Sequence, residues 1–290
     1  MDNKKNILAD ISMVCANYGN AGNIESVLSD WFTFLGGKPA EVIIADAGSD
    51  ATTRSVYNKL LEDGKIDTLI INKEGHPESG KECAFIREYH VANFARKKYI
   101  LFFKFDTLPF RKNNDDWLEK ATQVLDEGEI FAFGGSFNYV AKHHDSPVDG
   151  YYMGNRLSEN FALIRRDIHQ KAMREFAPTF IDSNFTKDSP FDSTRRQRFF
   201  VEIAWEEYMR KHNIFTLVKK ETDSWTVFHT NATDGDLQKI RGKYKERKSD
   251  VTQKMNAGLY ASQDDKWYYG KKKELRKMFK NVFSFLKRNK

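Results

Sequence analysis

The feature that most constrains the fold of this chain is an alternation, through its first half, of short apolar runs with segments of helical periodicity. Ile11–Cys15 is apolar and ends at the turn signal Asn17-Tyr18-Gly19. Asn23–Leu35 then places Ile24, Val27, Leu28, Trp31, Phe32 and Leu35 at helical spacing. Glu41–Ala45 is a β-branched run closed by Asp46-Ala47-Gly48-Ser49, and Thr53–Leu61 predicts a second helix. Thr68–Ile71 predicts a third strand, residues 82–97 a third helix and Tyr99–Phe103 a fourth strand. Strands separated by helices pair in parallel and leave the helices on both faces of the sheet. Ligands of such sheets sit beyond the carboxyl ends of the strands. The polar residues after strands one, two and four are therefore candidate site residues by topology alone.

The second half is less regular. Asp115–Leu125 predicts a helix and Ile130–Phe133 a short strand. Residues 134–160 have no clear period and read as either a functional loop or a poorly ordered stretch. Phe161–Ile164 is apolar, Asp167–Phe176 and Val201–His212 read as helices, residues 181–198 as a loop and Ser224–Phe228 as a strand. No internal repeat or low-complexity linker divides the chain.

With 290 residues, 40% of them hydrophobic, the chain can bury a core without covalent staples. Cys15 and Cys83 exclude a disulfide scaffold and form no metal-type pair, which predicts a reducing compartment. The formal charge of +6 is unevenly spread. Residues 266–290 carry ten basic side chains against Glu274 alone, a net of +9 that leaves −3 on the rest. A mildly acidic body argues against a nucleic-acid binder. No stretch is apolar for long enough to span a bilayer, and the N-terminal run, interrupted by Asp10, lacks a signal-peptide core. A cytoplasmic protein is expected. In the tail, Leu275, Met278, Phe279, Val282, Phe283 and Leu286 fall at helical spacing among Lys and Arg. That is the pattern of a basic amphipathic helix on the inner face of an anionic membrane, and equally of a helix packed on the domain with its lysines solvated.

Three motifs carry a resemblance. Ser12–Leu28 (SMVCANYGNAGNIESVL) leads from an apolar strand through a turn to an Asn-Ile helix start. Glu41–Thr53 (EVIIADAGSDATT) ends a strand in Asp46 and a Gly-Ser turn, and Tyr99–Thr107 (YILFFKFDT) ends one in Lys104-Phe105-Asp106. In this order and at these separations they resemble the opening of family-2 glycosyltransferases. Ala16, Gly19, Ala47 and Lys104 stand where that family has Pro, Asn, Asp and Asp. The likeness is best over residues 10–107 and loosens afterwards. It implies a GT-A type α/β domain over 1–262, with a mixed, mostly parallel sheet flanked by helices. Residues 1–110 would form the nucleotide-sugar-binding half, residues 111–262 the acceptor-binding half, and 263–290 the basic helical extension. The implied reaction is inverting transfer of a sugar from a nucleoside-diphosphate donor, UDP-sugar favoured, to a hydroxyl of a glycan or lipid-linked acceptor.

The resemblance also implies roles for residues. Asn17, Tyr18 and Asp46 would hold the nucleoside, and Arg87 would lie near the diphosphate in a register open by one residue. The plain alternative for Asp46 is a turn or helix cap. The family's Asp-x-Asp holds a divalent cation, Mn²⁺ or Mg²⁺, on the donor diphosphate. Lys104 in the first position leaves three readings: Asp106 keeps the cation with help from His229, Lys104 itself neutralises the diphosphate, or the donor site has decayed. The first is favoured. Glu202, in FFVEIAWEEYMRKHN, would be the base that takes the acceptor proton, ahead of Glu206 and Asp192. The bland reading of that helix is a solvated stripe with Glu206 paired to Arg210 at i,i+4. Tyr151, Tyr152 and Asn155 would line an acceptor groove. Two other classes stay open. One is a nucleotidyltransferase of similar fold, although Asn17-Tyr18-Gly19-Asn20 offers no basic Gly-rich loop. The other is a non-catalytic partner subunit, suggested by Lys104 and Ala47.

Overall fold

A computed structural model describes residues 7–71, 86–112, 116–134, 144–146, 148–185, 200–219, 224–230 and 232–246. The strands β1 (Ile11–Asn17), β2 (Glu41–Asp46), β3 (Thr68–Ile71) and β4 (Tyr99–Phe103) lie parallel in the order β3-β2-β1-β4. They are connected through α1 (Ala21–Leu35), α2 (Ala51–Glu62) and α3 (Ile86–Phe94). This is the alternation read from the sequence. The third helix ends at Phe94 rather than at 97, and residues 82–85 of the expected span lie outside the described residues. β2 and β4 are buried along their whole length, which is why their sequences are continuous apolar runs without a polar face.

The sheet continues past β4. β9 (Phe161–Arg165) lies antiparallel between β4 and β6 (Ile130–Gly134), and β10 (Phe215–Lys219) lies parallel to β6. β8 (Tyr151–Gly154) and β7 (His144–Asp145) complete one edge. Of the nine strands of this sheet among the described residues, only β8 and β9 run against the rest, so the sheet is mixed and mostly parallel, as expected of a GT-A type domain. β9 joins the two halves of the chain in a single sheet.

The sheet buries an apolar layer on each face. One layer includes Trp31, Phe34, Phe103, Trp117, Phe161 and Trp225, with α1 and α4 (Trp117–Glu127). The other includes Phe102, Phe131, Phe200 and Trp205, with α5 (Arg166–Phe176) and α7 (Phe200–His212). A separate antiparallel ribbon pairs β5 (Thr107–Arg111) with β11 (Trp225–His229). Its root is fixed by Trp225, whose ring lies 4.8 Å from that of Trp117.

Several described elements were not expected. β5 contains Pro109, which argues against a strand, yet a two-stranded ribbon tolerates a residue without an amide proton. β10 follows α7 after a turn at Asn213, the Gly-like turn the sequence offered, where φ is 51, a left-handed conformation that asparagine tolerates. Within 134–160, β7 and β8 give order to part of what read as a loop, while 135–143 and 147 lie outside the described residues. α6 (Pro178–Asp182) and α8 (Asp234–Glu246) were also missed. α8 buries Leu237, Ile240 and Tyr244, but Gly235 and Gly242 obscure its periodicity. It is clamped to α1 by Arg241, which reaches Asp30 at 2.5 and 3.0 Å.

Candidate active site

β1 and β4 are neighbours, but the chain leaves β1 towards β2 on the other side, so the crevice between them is a topological switch point. Lys104 sits there. The chain leaves β4 by a turn in which Thr107 donates its amide proton to the Lys104 carbonyl at 3.2 Å. The turn sends Phe105 into the core, 2% exposed, and leaves Lys104 and Asp106 on the side of the crevice. The Lys104 ammonium pairs with Glu88 of α3 and lies 3.5 Å from the Ala16 carbonyl at the end of β1. Burial alone would lower its pKa. The carboxylate of Glu88, with Cys15 and Glu159, outweighs burial and raises it. Burial pushes the Cys15 thiol up to about 12, against the pull of Lys104, so this thiol is inert at neutral pH.

Asp106 meets His229. The ribbon register places His229 opposite Thr107, and Thr230 donates from both its amide (2.9 Å) and its hydroxyl (2.8 Å) to the Asp106 carbonyl. His229 Nε2 is 3.2 Å from Asp106 Oδ2, with side-chain exposures of 20% and 29%. The pair combines a carboxylate oxygen with an imidazole nitrogen, which suits Mn²⁺ better than a purely hard cation. Among the described residues no group of three or more His, Cys, Asp and Glu forms a metal cage. A cation here would take two protein ligands and complete its shell from water or diphosphate oxygens, a habit of cations in nucleotide sites. The residues present fit the ion that the resemblance implies.

Glu202, at the start of α7, faces the same region. Its Oε1 accepts the Glu159 amide proton at 2.9 Å, and the Ser158 hydroxyl also bonds its carboxyl group. Burial pushes its pKa above the ordinary carboxylate range, while these two donors and Lys104 pull it down and Glu88 pushes it further up. Glu159 is 3% exposed, and burial, then Glu88, hold its carboxyl well above its usual pKa, with Lys104 opposing. The next residue, Asn160, touches His229: its Nδ2 is 3.2 Å from His229 Nδ1. Glu202, Lys104, Asp106 and His229 therefore belong to one neighbourhood, gathered by residues 158–160.

The residues expected to hold a nucleoside are placed differently. Asp46 is 0% exposed. Its Oδ1 accepts the Ser49 amide proton at 2.9 Å, and its Oδ2 lies 3.3 Å from Arg54 Nε. Ser49 in turn accepts the Gly19 amide proton at 2.8 Å, so Asp46 braces both strand-end turns. This is the capping role. A ligand reaches its carboxylate only after Arg54 moves. Asn17 donates from Nδ2 to the Gly19 carbonyl at 3.0 Å and to the Tyr57 hydroxyl at 2.5 Å, and so also braces the turn. Tyr18 is 56% exposed and presents its ring to solvent. Arg87 lies one residue from Glu88 and acts electrostatically on His90. Glu88, not Arg87, is the α3 residue paired with Lys104.

The remaining expectations on α7 are corrected. Glu206 faces Arg156, 3.8 Å away, and Arg210 pairs with Glu207 at i,i+3 instead of Glu206 at i,i+4. Asp192 and the segment 263–290 lie outside the described residues. A hollow of about 480 Å³ is lined by Ile7, Tyr99, Glu119 and Asp126 among others. Tyr99 opens β4, so this hollow lies at the amino end of the strands, away from the crevice.

The chain is similar to several solved structures. A mannosyltransferase from Pyrobaculum calidifontis, solved with GDP-Man and Mn²⁺, aligns over 89% of this chain and 71% of its own, at TM-score 0.43 and 11% identity. TarS of S. aureus aligns over 89% and 42%, at 0.45 and 14%. GalNAc-T7, solved with UDP, GalNAc and Mn²⁺, aligns over 76% and 42%, at 0.46 and 10%. The chain spans less than half the length of the latter two. No protein-family model matches the sequence, and neither does any curated protein.

Glu88, Glu159, Asn160 and Arg54 are the site residues that sequence reasoning missed. One signal was available. A lysine at the end of a buried strand demands a counter-charge, and α3 held the nearest acid.

Proposed function

We propose that the chain is an inverting glycosyltransferase of the family-2 kind, moving a sugar from a nucleoside-diphosphate donor, UDP-sugar favoured, to a hydroxyl of a glycan or lipid-linked acceptor. The observation that carries this reading is the gathering of Asp106, His229 and Glu202 around residues 158–160, beside the switch point. Asp106 and His229 would hold Mn²⁺ or Mg²⁺, which when bound supplies positive charge to the diphosphate. Lys104 adds a fixed positive charge to the same crevice. Tyr18 stacks on the base, while Asn17 and Asp46 hold the loops that frame it. Glu202 takes the proton of the acceptor hydroxyl as that oxygen bonds to the anomeric carbon. The bond from this carbon to the diphosphate oxygen breaks on the opposite side, which inverts the centre. A raised Glu202 pKa means that the base ionises, and turnover rises, as pH climbs through a range above that of an ordinary carboxylate. The basic segment 263–290 would carry the enzyme to the inner face of an anionic membrane.

A second reading, a non-catalytic partner subunit, is favoured by one observation: Asp46 is sealed beneath Arg54 and presents no open acceptor. Incubation with a panel of nucleotide-sugars, with and without Mn²⁺, separates the two. Donor hydrolysis or transfer is expected, and Glu202→Gln loses roughly 10²- to 10⁴-fold of it. Full turnover by Glu202→Gln removes the base from the mechanism. Failure to turn over any donor favours the partner-subunit reading.

A further inference from the structure

Three consecutive residues touch both working parts of the site. The Ser158 hydroxyl and the Glu159 amide hold the carboxyl group of Glu202, and the Asn160 side chain meets His229. The segment itself is fixed. The Phe161 amide donates to the Ser158 carbonyl at 3.2 Å, the Asn160 amide donates to the Ser158 hydroxyl at 3.3 Å, and Phe161, 0% exposed, is paired with Phe103 at the end of β4. A side chain on such a segment is held in place by backbone, not by its own mobility.

We propose that Asn160 is the positioning residue of the Asp106–His229 pair, acting on the imidazole through Nδ1, and that the segment 158–160 sets this pair and Glu202 in one frame. The inference rests on reading Asp106 and His229 as a cation pair. In the tautomer in which Asn160 Nδ2 donates to His229 Nδ1 across 3.2 Å, the imidazole proton lies on Nε2 and faces Asp106 Oδ2 3.2 Å away. A divalent cation on Nε2 requires that nitrogen to be bare. The proton of the neutral imidazole must then sit on Nδ1, which needs an acceptor. Rotation of the Asn160 amide about its terminal bond brings Oδ1 to the position of Nδ2 and supplies one. An asparagine is a neutral side chain that serves both tautomers from one place. Such a partner on the far nitrogen of a ligating histidine orients the ring and raises its basicity.

Two variants test this, with Mn²⁺ alone as the probe and free Mn²⁺ followed by electron paramagnetic resonance at mildly alkaline pH. Asn160→Ala leaves the Nδ1 proton without its acceptor and is expected to weaken Mn²⁺ binding roughly 10- to 100-fold. Asn160→Asp offers only acceptors, favours the tautomer that the cation needs, and is expected to bind Mn²⁺ at least as tightly as the wild type. A merely structural role weakens both variants alike. Equal loss in both, or unchanged affinity in Asn160→Ala, overturns the positioning role while leaving the cation pair intact. A wild-type chain that binds no Mn²⁺ overturns the cation pair itself, and this inference with it.

Discussion

Replacing Glu88 by Gln removes the counter-charge of Lys104 while keeping the side-chain shape. The two groups are only 8% and 14% exposed, so water screens neither well. The ammonium would remain at the Ala16 carbonyl with Glu159 and Glu202 as the acids around it. Removing one partner of a buried ion pair typically costs about 3–5 kcal/mol, because the other charge stays behind. Glu159 recovers part of this by ionising beside Lys104, since its pKa is held up partly by Glu88 itself. A loss of about 3 kcal/mol is therefore expected, near the lower end of that range. At about 2–4 °C per kcal/mol for a domain of this order of size, Tm falls by roughly 6–12 °C. Urea unfolding followed by tryptophan fluorescence reads the loss as a lower midpoint at constant slope. Adding Lys104→Met to Glu88→Gln should recover part of the loss, because no unpaired ammonium remains. A Glu88→Gln chain within about 0.5 kcal/mol of the wild type, the range of an ordinary surface change, refutes the buried lock on Lys104.

Two further outcomes follow from other parts of the molecule. His169 is 0% exposed, accepts the Trp205 indole proton at 3.1 Å, and has its pKa lowered to about 3 by burial. The unfolded chain takes up this proton near pH ~6.5, so the histidine's contribution is whole above that pH and is lost as pH falls, by up to about 1.4 kcal/mol per pH unit. His169→Gln keeps an acceptor for Trp205 and should lose stability less steeply on acidification, measured as denaturant midpoints across pH; parallel slopes contradict this. For the tail, full-length chain should float with anionic liposomes and a truncation before Lys271 should not, whereas equal behaviour assigns the tail to the fold.

The parallel half of the fold was legible because its signal is local. Buried β-branched and aromatic runs such as Glu41–Asp46 and Tyr99–Phe103 identify strands without any knowledge of their partners. Pro109 in β5 and the glycines of α8 concealed elements whose place comes from pairing with β11 and packing on α1, which lie far away in sequence. The site divides in the same way. Asp106, His229 and Glu202 were legible as residue types at strand and helix ends. Their common neighbour, residues 158–160, sits in a stretch without periodicity, and only tertiary structure brings it to them. Arg87 and Glu88 illustrate the limit of a helix read without its neighbours. One residue is a rotation of about 100°, enough to exchange the partner of Lys104 for a residue that acts on His90. Asp46 stands at the carboxyl end of β2 as its sequence implies, but its hydrogen bonds tie down the turns and leave no atom open to solvent.

The central claim is that Asp106 and His229 form a cation site for a nucleotide-sugar beside Lys104. Isothermal titration of a UDP-sugar into wild type and Asp106→Asn, each with and without Mn²⁺, tests it most directly. The account predicts binding that Mn²⁺ strengthens in the wild type and no longer strengthens in Asp106→Asn. Binding that ignores Mn²⁺ in both chains, or no binding in either, contradicts it.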